Sequence, residues 1–224
     1  MKTLSVFLIT LFSLFAASTQ AAAPAWKEGT HYTLSDSVNR QTVAPGQTLI
    51  TEVFSYACPA CNAFAPTMRK LREAMPKAQF EYVPAGFIAA EDWPMFQRAF
   101  CTAQVLHIAE KTHDAMFKAV WTTGELATMD PASSRLKKPL PSLEEAAKFY
   151  QREAGVKAAD FVAAANSFSV DLKIKAADEF IRNYKVTSTP TLIINGKYIT
   201  DVHMAGGYDQ LIDLIKFLST KDRG

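Results

Sequence analysis

Where the β-rich stretches fall constrains this chain most. "QTLITEVFS" (47–55) and "QFEYVPA" (79–85) are rich in β-branched and aromatic residues and read as strands. "TPTLIINGKYIT" (189–200) reads as two more, joined at Asn195-Gly196, a strong hairpin signal. Between the first two strands, Phe64, Met68 and Leu71 recur at helical spacing from Pro59 to Glu73, and Pro59 suits a first helical turn. Strand, helix and strand within about 35 residues form a βαβ unit. From Asp92 to Tyr184 alanine, lysine, glutamate and apolar residues recur at i, i+3 and i+4, broken near "TMDPASSRLKKPLP" and at Gly155. That pattern predicts a bundle of four to six helices. An amphipathic helix over Gly207–Thr220 closes the chain. Strands on both sides of the helical stretch must pair with each other. The prediction is therefore one α/β domain (βαβ…ββα), built from residues 23–91 and 185–224, with an all-helical domain inserted at 92–184.

The N-terminus bears on compartment. Met1 and Lys2 precede an apolar run from Leu4 to Ala17, followed by the small and polar "STQAAAP". Residues 1–22 thus read as a signal peptide, cleaved near residues 21–23, and the run is short of the roughly 20 residues a membrane span needs. The net charge is +2, of which Lys2 supplies one, and acids and bases are interspersed. With no basic block, nucleic acid is not an expected partner. An exported chain held together by disulfides carries more cysteines, in even number, than the three present here.

Two of the three stand in "CPAC", Cys58-Pro59-Ala60-Cys61, at the boundary of the first strand and the helix. Unpaired amides and the helix dipole at that point favour a thiolate, which places the Cys58 pKa in the range of roughly 3.5 to 7.5. Cys61, one turn on, is more enclosed and is placed to resolve a mixed disulfide. A structural zinc site calls for two Cys/His pairs, and only Cys101 and His107 lie close together. A structural disulfide gains little from closing so short a loop. No metal is expected, and the expected redox group is the Cys58–Cys61 pair itself, with no other cofactor.

Two further features sit near it. Glu52 lies inside the apolar strand, six residues before Cys58. It is either a buried proton acceptor serving Cys61 or a residue on a wet sheet edge. Thr189-Pro190 immediately precedes a strand and is either a plain strand-start proline or a cis bond that turns the Thr189 backbone toward a substrate peptide.

Together, "EVFSYACPAC", "TSTPTLIINGKY" and the helical insertion resemble the thioredoxin superfamily, and within it the DsbA family of periplasmic thiol-disulfide oxidoreductases. The resemblance covers essentially the whole chain after the leader. It implies a thioredoxin-like fold with a helical cap and donation of a disulfide to reduced, newly exported proteins. It further implies re-oxidation by a DsbB-type quinone-linked membrane partner. On this chain it makes Cys58 the nucleophile, Cys61 the resolving thiol, Pro190 the cis-proline and Glu52 the buried acid. Ala60 stands where the best-known members carry histidine, and Ala65 where well-studied members carry a second acid. The first departure predicts a less acidic Cys58 than in those members; the second leaves Glu52 to act alone. Thr189 before the proline also occurs in disulfide isomerases. Those relatives usually dimerise through an added N-terminal domain, for which residues 23–46 leave little room, so a monomer is expected. An isomerase or reductase, and a non-enzymatic folding helper with a structural disulfide, are the competing readings.

Cys101 in "PMFQRAFCTAQVL" reads as a small core residue. Phe54, Tyr56 and Phe87 are candidates for core or for a substrate groove. His203 and Met204 in "DVHMAGG" are candidates for a loop facing the site, and "RLKK" (135–138) for a solvated loop.

Overall fold

The computed structural model describes residues 25–37, 41–130, 132–133 and 135–221. The proposed leader lies outside them. In chain order the elements are β1 (Thr33–Leu34), β2 (Leu49–Phe54), α1 (Pro59–Ala74), β3 (Gln79–Pro84), α2 (Trp93–Val105) and α3 (Ala109–Trp121). They continue with β4 (Met129–Asp130), β5 (Arg135–Leu136), α4 (Leu143–Ala154), α5 (Ala158–Ala165) and α6 (Phe168–Asn183). The chain closes with β6 (Thr191–Ile194), β7 (Tyr198–Thr200), α7 (Val202–Ala205) and α8 (Tyr208–Thr220).

A five-stranded sheet in the order β1-β7-β6-β2-β3 forms the centre. β2 runs parallel to β3 and antiparallel to β6, with Glu52 opposite Tyr82 on one side and Leu192 on the other. All six residues of β2 are buried, as expected of a central strand covered on both faces. α1 and α8 pack over Ile50, Leu192 and Ile194, with Phe64, Leu71, Leu211, Leu214 and Ile215 filling the layer. A second cluster joins Val53 and Phe54 to Phe96, Phe100 and Phe117 of the inserted helices. Phe54 meets Tyr56, Phe100 and His113 edge-on at ring separations near 5 Å, so the insertion is packed directly on the strand that leads to Cys58.

The hairpin at Asn195-Gly196 forms as predicted, both residues having positive φ (53° and 63°). A Cβ at Gly196 would also collide with the backbone of Gln41. α1 continues through Pro66, which withholds one helical hydrogen bond. Burial of Cys61, Phe64, Met68 and Leu71 on the same helix outweighs that loss.

Four short elements lie outside the sequence prediction. β1 is two residues long, and its pairing with β7 alone defines it. α7 is a single turn, started by the Asp201 carboxylate, which accepts from the Met204 amide at 2.7 Å, and ended by Gly206 at φ 87°. The expected loop at 135–138 contributes Arg135 and Leu136 to a small exposed ribbon with β4, added to the five helices of the insertion. The Asp130 side chain organises its turn by accepting from the amides of Ala132 and Ser133.

Candidate active site

Cys58 is the N-cap of α1, with extended backbone (φ −84°, ψ 117°) and Pro59 in the first turn behind it. The approach is tied down locally. The Ala57 amide donates to Ser55 Oγ at 3.2 Å, and the Cys58 amide to the Ser55 carbonyl at 3.2 Å. Tyr56 is held at both ends by α3. Its carbonyl accepts from Trp121 Nε1 at 2.8 Å, and its hydroxyl meets His113 Nδ1 at 2.9 Å. Tyr56 and Phe54 are therefore core, whereas Phe87 is exposed and stacks on Trp93 at 6.0 Å.

The Thr189-Pro190 bond is cis. The loop it belongs to lies against the cysteine pair, and the Cys58 thiol donates to the Thr189 carbonyl at 3.4 Å. That bond favours the thiol, but it is outweighed. A hydrogen bond from the Cys61 thiol, aided by the Thr189 side chain and the amides of Cys61 and Ala60, brings the Cys58 pKa down to about 6 against the opposing effect of burial. The two amides are the unpaired donors that every helix start presents. Cys61, fully buried, is driven the other way, first by burial and then by donating to Cys58 and by the nearby Glu52 carboxyl. All three cysteines are free thiols, and Cys101 is wholly buried in α2.

Glu52 is 3% exposed, on the central strand, not at a wet edge. Burial raises its pKa to about 8, with the Arg72 guanidinium opposing and the Cys58 thiolate adding to the rise. A cavity of about 230 Å³ opens beside it between α1 and α3, lined among others by Glu52, Ala65, Arg72, Tyr82 and His113. Its polar lining and size suit it to hold water. At its rim Arg69 pairs with Asp114, and Arg72 with Glu110, each at 3.5 Å. The Arg72 guanidinium also lies over the rings of Phe80 (4.6 Å) and Tyr82 (5.4 Å). Ala65 thus faces the acid with a methyl group, and Arg72 supplies the charge next to it.

Arg72 is the residue that sequence reasoning missed. The signal was present: Cys61, Ala65, Met68 and Arg72 follow one another at i, i+4, i+7 and i+11, which is one face of a helix. His203 and Met204 fall near the site. His203 shares a cleft of about 210 Å³ with Ala60, Thr189, Pro190 and Tyr208, and Met204 lines the adjoining one with Ser188 and Asp201.

Beside this cleft, across the Thr189 carbonyl, stands one sulfur that is stable as an anion, with a second, one turn deeper, that is not. Thiol–disulfide exchange is the chemistry such a pair performs. On a thioredoxin-like sheet, that defines a thiol-disulfide oxidoreductase.

Known proteins agree. A family model described as Thioredoxin matches residues 44–214. The thiol:disulfide interchange protein DsbA of Pseudomonas syringae pv. tomato is 32% identical over 94% of this chain and 91% of its own length. DsbA of Pseudomonas aeruginosa is 30% identical over 80% of this chain and 78% of its own. The crystal structure of Pseudomonas aeruginosa DsbA superposes with a TM-score of 0.71 at 30% identity, covering 88% of this chain and 95% of that one. The oxidoreductase DsbA from Xylella fastidiosa gives a TM-score of 0.71 at 26% identity, over 86% and 95%. The chain belongs to the DsbA family of thiol:disulfide interchange proteins.

Proposed function

We propose that this protein is a periplasmic dithiol oxidase that donates the Cys58–Cys61 disulfide to reduced, newly exported proteins. A substrate thiolate attacks Cys58 Sγ, the Cys58–Cys61 bond breaks, and Cys61 leaves and takes a proton from Glu52. A second substrate thiol then displaces Cys58, whose thiolate is the stabilised product. The Thr189 backbone beside Pro190 seats the substrate peptide, and Pro59 and Ala60 shape the helix start that holds the thiolate. The cysteine pair is the whole redox apparatus, with no further cofactor. Re-oxidation falls to a DsbB-type quinone-linked membrane protein, and the enzyme works as a monomer. The family's periplasmic setting and the apolar leader over residues 1–22 support the compartment.

The observation that carries this reading is the opposite displacement of two neighbouring thiols: Cys58 falls to about 6 while Cys61 rises. Stabilising a product thiolate makes the disulfide more oxidising. Lowering one pKa from 9.0 to about 6 favours the reduced form at pH 7 by roughly 1.4 kcal/mol, or about 30 mV for a two-electron couple. The test is redox equilibrium with glutathione in a Cys101→Ser background. A potential clearly above the thioredoxin value of roughly −270 mV is expected. A value at or below it would overturn the oxidase reading in favour of a reductase.

A further inference from the structure

Disulfide donation moves two protons at two places. Cys61 gains one as it leaves, on the buried side, and Glu52 stands there. The incoming substrate thiol loses one on the open side, where Glu52 does not reach. A thiol of ordinary pKa is only a few per cent ionised at neutral pH, so the attacking sulfur is mostly in its unreactive form. Within the cysteine motif the open side offers the methyl of Ala60 and no base.

The cleft beside it does offer one. It is walled by Ala60, Ser188, Thr189, Pro190, His203 and Tyr208. The Thr189 carbonyl, 3.4 Å from Cys58 Sγ, places this cleft next to the attacked sulfur. Of the ionisable side chains lining it, Asp201 is committed to capping α7 through the Met204 amide at 2.7 Å. Tyr208 stacks on Phe64 at 6.3 Å, and a phenol is a poor base for a thiol. His203 is exposed on α7 and lines the same space with an imidazole, whose ring nitrogen can accept a proton.

We propose that His203 is a catalytic residue of the substrate half-reaction, the proton acceptor for the incoming cysteine thiol. The inference rests on the disulfide-donor reading above. The neutral imidazole takes the proton from the substrate S–H. The sulfur lone pair forms the new S–S bond to Cys58 Sγ as the Cys58–Cys61 bond breaks. That bonding pair goes to Cys61, which takes its proton from Glu52. The imidazolium releases its proton to solvent, and Glu52 regains one through its cavity. The substrate sulfur is oxidised, Cys61 is reduced, and no other electron carrier is involved.

The experiment compares two thiols at pH 7 against the oxidised protein and its His203→Asn and His203→Ala variants. One is an alkyl peptide thiol of ordinary pKa, and the other an aryl thiol already ionised at that pH. The rate of mixed-disulfide formation at Cys58 is read by acid trapping and mass spectrometry. For the alkyl thiol the ratio of unsubstituted to variant rate is expected to be about tenfold, with a ceiling of about thirtyfold set by the small fraction already ionised. For the aryl thiol the ratio is expected near one. Equal ratios for both thiols, whether both near one or both large, would overturn the proposal by reducing His203 to a bystander or a simple contact. If the unsubstituted protein forms no mixed disulfide with either thiol, the donor reading itself fails, a separate result.

Discussion

Replacing Glu52 by Gln isolates the energetic consequence of burying an acid in the central strand. The carboxyl has a pKa of about 8 in the folded chain against 4.5 for its ordinary value, mainly because burial penalises the charged form. The folded state therefore binds a proton that the unfolded state releases. Below about pH 4.5 both states hold it and Glu52 has no pH-linked effect. As pH rises from there to about 8, stability is lost. Each unit corresponds to about 1.36 kcal/mol, so the loss is roughly 3 kcal/mol at pH 7 and between about 4 and 5 above pH 8. Glutamine keeps the shape and has no charge to desolvate. Glu52→Gln is thus expected to stabilise the protein by roughly 3 kcal/mol at pH 7 and by little at pH 4. Urea unfolding of the reduced forms across pH 4 to 9 measures both curves, and their difference removes the titration of Cys58 common to both. Parallel curves over that range would refute the argument, because they would mean that Glu52 ionises alike in the folded and unfolded chains.

Three other expectations follow from the same site. Cys61→Ala removes the leading donor to Cys58 and should move the thiolate absorbance midpoint upward from about 6, whereas Cys61→Ser keeps a donor and should move it less. Arg72→Met removes the main effect opposing burial at Glu52, so stability should go on falling to a pH above about 8 before levelling off. Tyr56→Phe leaves His113 Nδ1 facing apolar rings without a partner, a loss of about 1 to 3 kcal/mol readable by denaturant unfolding.

What could be read in the sequence was local. The CPAC motif announces itself because a strand pattern ends and a helix pattern begins on the same residue, and Asn195-Gly196 because its turn demands positive φ. The helices of the insertion are long enough for their period to show. What stayed hidden depends on the fold. Arg72 acquires its meaning from Glu52, a residue on another element, and on α1 alone it reads as one more surface cation. α7 spans only Val202–Ala205, too few residues for a period, though Asp201 before it and Gly206 after it mark a cap and a stop. β1 exists by virtue of its partners Ile199 and Tyr198. Tyr56 and Phe54 are ambiguous between core and groove in the sequence, because an aromatic side chain beside a cysteine at a helix start suits either until α3 is seen to cover both.

The pairing of β2 with β6 also bears on how the enzyme is made. Residues 55–190 separate the two strands, and a chain is synthesised from its N-terminus. The cysteine pair, its helix and the whole inserted lobe are therefore complete while one edge of β2 is still bare. The Thr189 loop, which contacts Cys58, arrives on the same segment that closes that edge. A nascent chain would carry the thiol pair before the loop that touches Cys58 is in place. The bare edge of β2 is covered in the same step that brings the Thr189 carbonyl to Cys58, with β7 and α8 still to follow.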